Sequence, residues 1–380
     1  MQSENLRDRV LVKVLGKMKN AELKGLEAYL NCTIFNRNPL FPQLLSLIEK
    51  RILSTRSRSV GAKALLKGTQ IKPERLNKLF TQLFHLTNEY LNLMESRAHP
   101  EEQYRFLFQA YARMDVEKPV QNKEFKKAHK FLEKPPLQHE NFHLKYRISH
   151  QFHLNRIHEE RRVVPAHIVE NQRLIDQYYV GVRLKYLCAT RNMEWIFNLE
   201  RQPLNEAEIV ALYNNPNFSP NPVTTAYFLA LQLLSSPDDI WAQLNALNLY
   251  LREKAVEIPQ MDLRDLWGYA LNYCVMQLDR TGEQFRTITD SIYVYLYETG
   301  LILEEDRLSA FHFTNITKIR LSLGEFDWVK TFLKAIEGRL INDDEGFAIQ
   351  YAWALLHFKS RNYAEAISRI KKILIDPPKD

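Results

Sequence analysis

The stretch Asn315-Ile316-Thr317-Lys318-Ile319-Arg320-Leu321-Ser322-Leu323-Gly324-Glu325-Phe326 decides how this chain is read. Apolar and polar residues mix at helical spacing, a glycine turn follows, and an aromatic opens the next helix. Weaker versions run from Asn272 to Gly282-Glu283-Gln284-Phe285 and from Tyr351 to Asn362-Tyr363-Ala364-Glu365-Ala366. Recurring helical hairpins predict stacked helix pairs, each burying its apolar face on the next. Such stacks make surfaces that hold other molecules more readily than they make active sites.

Composition agrees. Only 11 of 380 residues are glycine, well below the usual ~7%, whereas tight-turned sheets and phosphate-cradling loops are glycine-rich. At this length the chain needs several cores or one that grows along a stack. Apolar residues make up 45% and charged residues 26%, values of a folded chain. The cysteines Cys32, Cys188 and Cys274 are odd in number and far apart, so neither a disulfide framework nor a zinc knuckle is expected. The charged start lacks a signal-type apolar run, and no apolar window is long enough to cross a bilayer. The expectation is a cytoplasmic protein with no membrane partner.

Punctuation divides the chain into three blocks. Residues 1–98 form a basic helical block, with a helix after Asn20, another over Phe41–Leu53, and a long one entered at Pro73. Residues 99–200 form histidine-rich helical hairpins, and residues 201–380 hold the repeats. Ser236-Pro237-Asp238-Asp239 and the start of Asp262–Asp265 have the composition of helix N-termini. Tyr293, Tyr295 and Tyr297 alternate as in a strand. The flanks, with Glu283 after Gly282 and a terminal Gly300, favour a helix there.

The wording around Gly324 resembles the tetratricopeptide repeat, a 34-residue helix pair. In the last copy Ala354 and Ala366 match that family's small pair, Tyr363 its packing aromatic, and Asp376-Pro377 its closing turn. Arg320 and Val329 depart from the preferred residue types. Phe285, Phe326 and Tyr363 lie 41 and 37 residues apart. The resemblance covers residues 272–380 and implies a degenerate α-solenoid of antiparallel helix pairs, a TPR-like superhelix. It also implies a concave groove for a peptide or partner helix, lined here by Lys318, Leu321, Tyr351, Leu355 and Phe358. Leu355 replaces a polar position of the clamp that some relatives close on a C-terminal carboxylate, so that ligand is not implied. Ordinary helix packing explains the same residues equally well. The segment from Glu22 to Leu30 with Phe35-Asn36-Arg37-Asn38 is similar to bacterial helical proteins of no known function.

Two clusters invite chemistry. Seven of 11 histidines lie between His129 and His167. On one helix His139, His143, His150 and His153 fall within an arc of about 80°. His139 and His150 are about 16 Å apart along the axis, so no single metal ion joins the pairs, and a packing seam accounts for the stripe. Residues 50–78 carry nine Lys/Arg against Glu74 alone. With Arg56, Arg58, Lys63 and Lys67 this density suits phosphates, and helices flanking Lys67-Gly68-Thr69-Gln70 suggest a helix-turn-helix. The long helix after Pro73 argues for a solvated face instead. Residues 1–170 carry 30 basic against 18 acidic residues, and residues 171–380 carry 22 against 27.

Motifs for acyl transfer, dinucleotide binding, phosphate loops and zinc proteolysis are missing. The acidic pairs Asp238/Asp239, Glu304/Glu305 and Asp343/Asp344 are read as helix starts. The sequence therefore predicts a non-enzymatic protein- or peptide-binding scaffold without metal or small-molecule cofactor. A nucleic-acid-binding regulator acting through the basic N-terminal block is the alternative.

Overall fold

A computed structural model describes residues 5–55, 59–134, 136, 138–154, 166–235, 239–281, 283–341 and 346–375. The fold is all-α. The chain divides into two compact units, residues 1–107 and 108–380.

In the first unit lie α1 (Val10–Leu15), α2 (Asn20–Asn31), α3 (Leu40–Ile48), α4 (Ala62–Leu66) and α5 (Leu76–Ala98). Their core gathers Leu15, Leu26, Leu44, Ile48, Leu65 and Leu83. The expected cap Asn20 is already helical; the free Lys19 N–H donates instead to the Glu22 carboxylate at 2.6 Å. A π turn, Glu49–Leu53, carries α3 onward, as the apolar run to Leu53 predicts.

Next come α6 (Pro100–Arg113), which spans the boundary, α7 (Lys118–Leu132), α8 (His139–Leu154), α9 (Ala166–Ile196), α10 (Glu206–Tyr213) and α11 (Pro222–Leu234). The chain continues through α12 (Ile240–Glu253), α13 (Gln260–Thr281), α14 (Glu283–Glu298), α15 (Ala310–Ser322), α16 (Phe326–Ile336), α17 (Phe347–Lys359) and α18 (Tyr363–Ile375). The tyrosine alternation thus lies within α14. Asp239 caps α12 by accepting from the Ala242 N–H at 2.9 Å; Ser236, Pro237 and Asp238 are outside the described residues, as are Asp343/Asp344. Glu304/Glu305 correct the expectation of a helix start, for they occupy a tight turn closed between Glu304 and Arg307.

Helix α9 packs on α8, α10, α11 and α13. Helix α11 also meets α12 and α13, and α15 meets α14, α16 and α17. One apolar core runs through these elements from Val180 to Leu356, with Tyr227, Trp267, Tyr293 and Phe313 among its largest members. It crosses residue 200, so the second and third blocks share a core. The ends of α9 and α10 are latched by Arg191, whose guanidinium pairs with Glu194 at 2.5 Å and with Glu206. The two-residue strands β1 (Leu308–Ser309) and β2 (Leu340–Ile341) pair in parallel and clip the start of α15. They form the one sheet among the described residues. No helix of the described residues is long and apolar enough to cross a membrane.

A single contact sets how closely α8 approaches α9. Gly181 on α9 leaves space that the buried His139 ring fills; a Cβ there would lie 2.1 Å from His139 Cδ2. Gly181→Ala should cost about 1–3 kcal/mol. Denaturant unfolding of both single variants and the double should show the penalty shrinking in a His139→Ala background.

Candidate functional site

Helix α15 is apolar nearly all round, so burial is decided by its neighbours. Phe313, Ile316, Thr317, Ile319 and Leu321 face the core. Phe311 and Lys318 face out. They are seven residues apart, two turns, and share a face. On α17, Ala348, Ile349, Ala352, Ala354 and Leu356 are buried. Phe347 and Phe358 are exposed, with Tyr351 and Leu355 half-buried. Phe347, Tyr351 and Phe358, at spacings of four and seven, again share one face.

The two outward faces adjoin. The Lys318 ammonium lies 5.7 Å from the centre of the Tyr351 ring, a cation–π distance. The result is an aromatic strip across α15 and α17, with Phe311 61%, Phe347 43% and Phe358 56% exposed. Phe358 meets Tyr363 of α18 edge-on at 5.8 Å. Of the residues named from sequence, Lys318, Tyr351 and Phe358 lie on the strip and Leu355 at its edge. Leu321 does not: only 3% exposed, it belongs to the core. Phe311 and Phe347 were missed, although their spacing from Lys318 and Tyr351 carried the signal.

Beneath the strip, Arg320 occupies the odd position of the repeat for a reason. Its guanidinium pairs with Asp290 of α14 at 2.7 Å and lies over the Trp328 ring of α16 at 4.4 Å. It joins three helices where an apolar residue would join two. Burial raises the Asp290 pKa, and the Arg320 pairing opposes that rise. Gly324 takes φ +82° in the turn, a conformation suited to glycine. Ala354 and Ala366 are both buried.

Three of the four stripe histidines, His139, His143 and His153, meet α9, whereas His150 is exposed. His139 meets the Thr224 hydroxyl at 3.2 Å, and the His143 ring stacks on Tyr178 at 4.7 Å. His153 stacks on His167. His150 stacks on Tyr146 of its own helix. Among the described residues no group of three or more His, Cys, Asp or Glu is placed to hold a metal ion. Nearby, Asp262 accepts hydrogen bonds from the Tyr227 hydroxyl at 2.7 Å and the Lys185 ammonium at 2.8 Å. This polar network is buried and packed.

In the first unit, Arg56 and Arg58 lie outside the described residues. Lys63 and Lys67 are exposed on α4 and just after it. A helix, a turn through Gly68 and a second helix do follow one another, but α4 has only five residues and α5 has 23. Arg51 is not a surface cation: its guanidinium donates to the Leu65 and Lys67 carbonyls at 2.8 and 2.7 Å.

No protein-family model, no curated protein and no solved structure matches this chain.

Burial holds the His139 pKa down at about 4, against 6.5 in the unfolded chain. Above pH 6.5 both states are neutral there and stability is full. Between 6.5 and 4 the unfolded chain binds the extra proton, so stability falls as pH falls. The loss from this group amounts to about 3 kcal/mol. Denaturant unfolding from pH 7 to 4 should show this slope, and His139→Gln should remove up to one proton of it. His129 and His312, also lowered by burial, keep their shares.

Proposed function

We propose that this chain is a non-enzymatic, cytoplasmic scaffold whose second unit is a degenerate tetratricopeptide-like stack that holds a peptide or partner helix. The aromatic strip on α15 and α17 carries the proposal. Three exposed phenylalanines on adjoining helix faces are unusual for a surface that meets only water. The order of packing supports the stack: α9, α11 and α13 lean on one another, and α15 leans on α17, while α12, α14, α16 and α18 follow their partners in sequence. Three-residue connections, Leu323–Glu325 and Ser360–Asn362, turn the chain back between α15 and α16 and between α17 and α18. Free cysteines, two of them buried, fit a reducing compartment.

The ligand chemistry follows from the strip. An amphipathic helix with apolar anchors at i, i+3 or i+4, and i+7 places them on phenylalanines. An acidic residue beside those anchors meets Lys318. Specificity then rests on the spacing of anchors, because the strip offers one cation and little other polar chemistry.

Capture from native lysate tests this. The wild-type chain should recover a protein that the double variant Phe311→Ser, Phe358→Ser loses by at least about tenfold, and Lys318→Glu should weaken recovery too. Both phenylalanines are exposed, so thermal unfolding should change by no more than about 0.5 kcal/mol for each. Leu321→Ala, by contrast, should destabilise by about 2–5 kcal/mol. Recovery of no protein that depends on these side chains removes the reading.

A further inference from the structure

The first unit carries a separate surface, and its chemistry is of another kind. A groove of roughly 970 Å³ opens between the start of α3 and the turn leading into α5. Lys72, Arg75 and Lys78 line it, with Gln43, Gln70 and Gln82. No carboxylate and no aromatic side chain is among its lining residues. The three cations are exposed, and among the described residues none of them is paired with an acid. Glu74, the one acid in the segment, does not line the groove.

The wall is built to hold its shape. Gly68 turns at φ +77°. The Thr69 hydroxyl donates to the Leu66 carbonyl at 2.8 Å. Arg51 binds three successive parts of the turn, at the Ala64, Leu65 and Lys67 carbonyls. Pro73 starts a 3-10 turn that runs straight into α5. Arg75 and Lys78 therefore lie on one continuous helical segment, with Lys72 in extended backbone just before it. Their backbone positions span at most about 12 Å, from rises of ~3.3, ~2.0 and ~1.5 Å per residue. Three successive phosphates of one strand cover about 7 Å of duplex axis. A cation row of that length meets three phosphates with ordinary side-chain adjustment, and the flanking glutamine amides supply neutral donors for the sugar–phosphate edge.

We propose that this groove binds duplex nucleic acid through its phosphate backbone, using Lys72, Arg75 and Lys78. The proposal does not rest on the aromatic strip of the second unit. A duplex is favoured over a single strand because unpaired bases need aromatic platforms to stack on, and the lining has none. Contact is to phosphates, so binding is independent of base sequence and weak at physiological salt, with Kd of order 1–100 µM.

Fluorescence anisotropy of a labelled 20-base-pair DNA duplex with the full chain tests this, read as salt is raised from 50 to 150 mM. Three phosphate contacts give a slope of log K against log salt near −2.7, hence about a 20-fold loss of affinity over that range. The triple variant Lys72→Ala, Arg75→Ala, Lys78→Ala should bind at least tenfold more weakly at 50 mM salt. Each single change should flatten the slope by about 0.9, which keeps the assignment testable if the triple variant folds poorly. A control of equal net charge, Lys126→Ala, Lys330→Ala, Lys334→Ala, removes exposed cations of the second unit and should bind like the wild type. Absence of binding at 50 mM salt overturns the proposal. So does equal loss in the control, which would reduce the effect to diffuse net charge, and so does tighter binding of the matching single strand or of a polyglutamate peptide.

Discussion

Almost nothing in this fold can bury an apolar face except against another helix. Among the described residues the one sheet is two residues deep on each strand, too small to supply a core layer. A lone helix of these lengths is marginal in water, so each depends on its neighbours' side chains for stability. That dependence explains the single apolar core running from Val180 to Leu356. It also decides which surfaces are free. Helix α9, gripped by α8, α10, α11 and α13, still shows Ile168, Ile175, Tyr179, Tyr186 and Met193 along one face. The outward faces of α15 and α17 are likewise left uncovered, and their phenylalanines stand in solvent.

Periodicity made the helical class legible, and Gly324 and the Ala354/Ala366 pair fell where their steric roles require. Face assignment was less legible. Helix α15 carries Phe311, Phe313, Ile316, Ile319 and Leu321, apolar residues at nearly every angle, so spacing alone could not say that Leu321 turns inward and Phe311 outward. Neighbours settle that question. The continuity of the core across residue 200 was hidden for a related reason. Arg191 reaches across to Glu206, and its partner Glu194 accepts from the Gln202 N–H at 2.7 Å. Such long-range pairing leaves no periodic trace in sequence.

The buried polar groups of the second unit have a different task from its apolar ones. His139 with Thr224, Tyr227 with Asp262 and Lys185, and Asn221 with Gln177 at 3.0 Å join α8, α9, α11 and α13. Leucine and valine tolerate a helix sliding by a fraction of a turn. A buried hydroxyl–carboxylate bond does not, since breaking it leaves an unsatisfied group at a cost of about 1–3 kcal/mol. These pairs fix the register that packing leaves loose. The histidine stripe belongs with them: a seam against α9, held by one close approach at Gly181 and by stacked rings.

Charge, too, has to be sorted by what it touches before it says anything about a ligand. The basic excess of residues 1–170 counts every cation alike. Yet Arg7 spends its guanidinium on the Ile52 and Thr55 carbonyls, and Arg51 spends its own on the end of α4. In the second unit Arg191 and Arg320 are held in ion pairs. A cation already desolvated by the chain's own carbonyls gains little from a phosphate, because it would have to give up those bonds first. One that stands in water gives up only hydration and condensed ions, and the release of those ions drives the binding. Formal charge therefore overstates what this surface can attract. The short row entering α5 matters because its side chains are not committed elsewhere, and the same reasoning separates the strip's exposed phenylalanines from the buried aromatics beneath them.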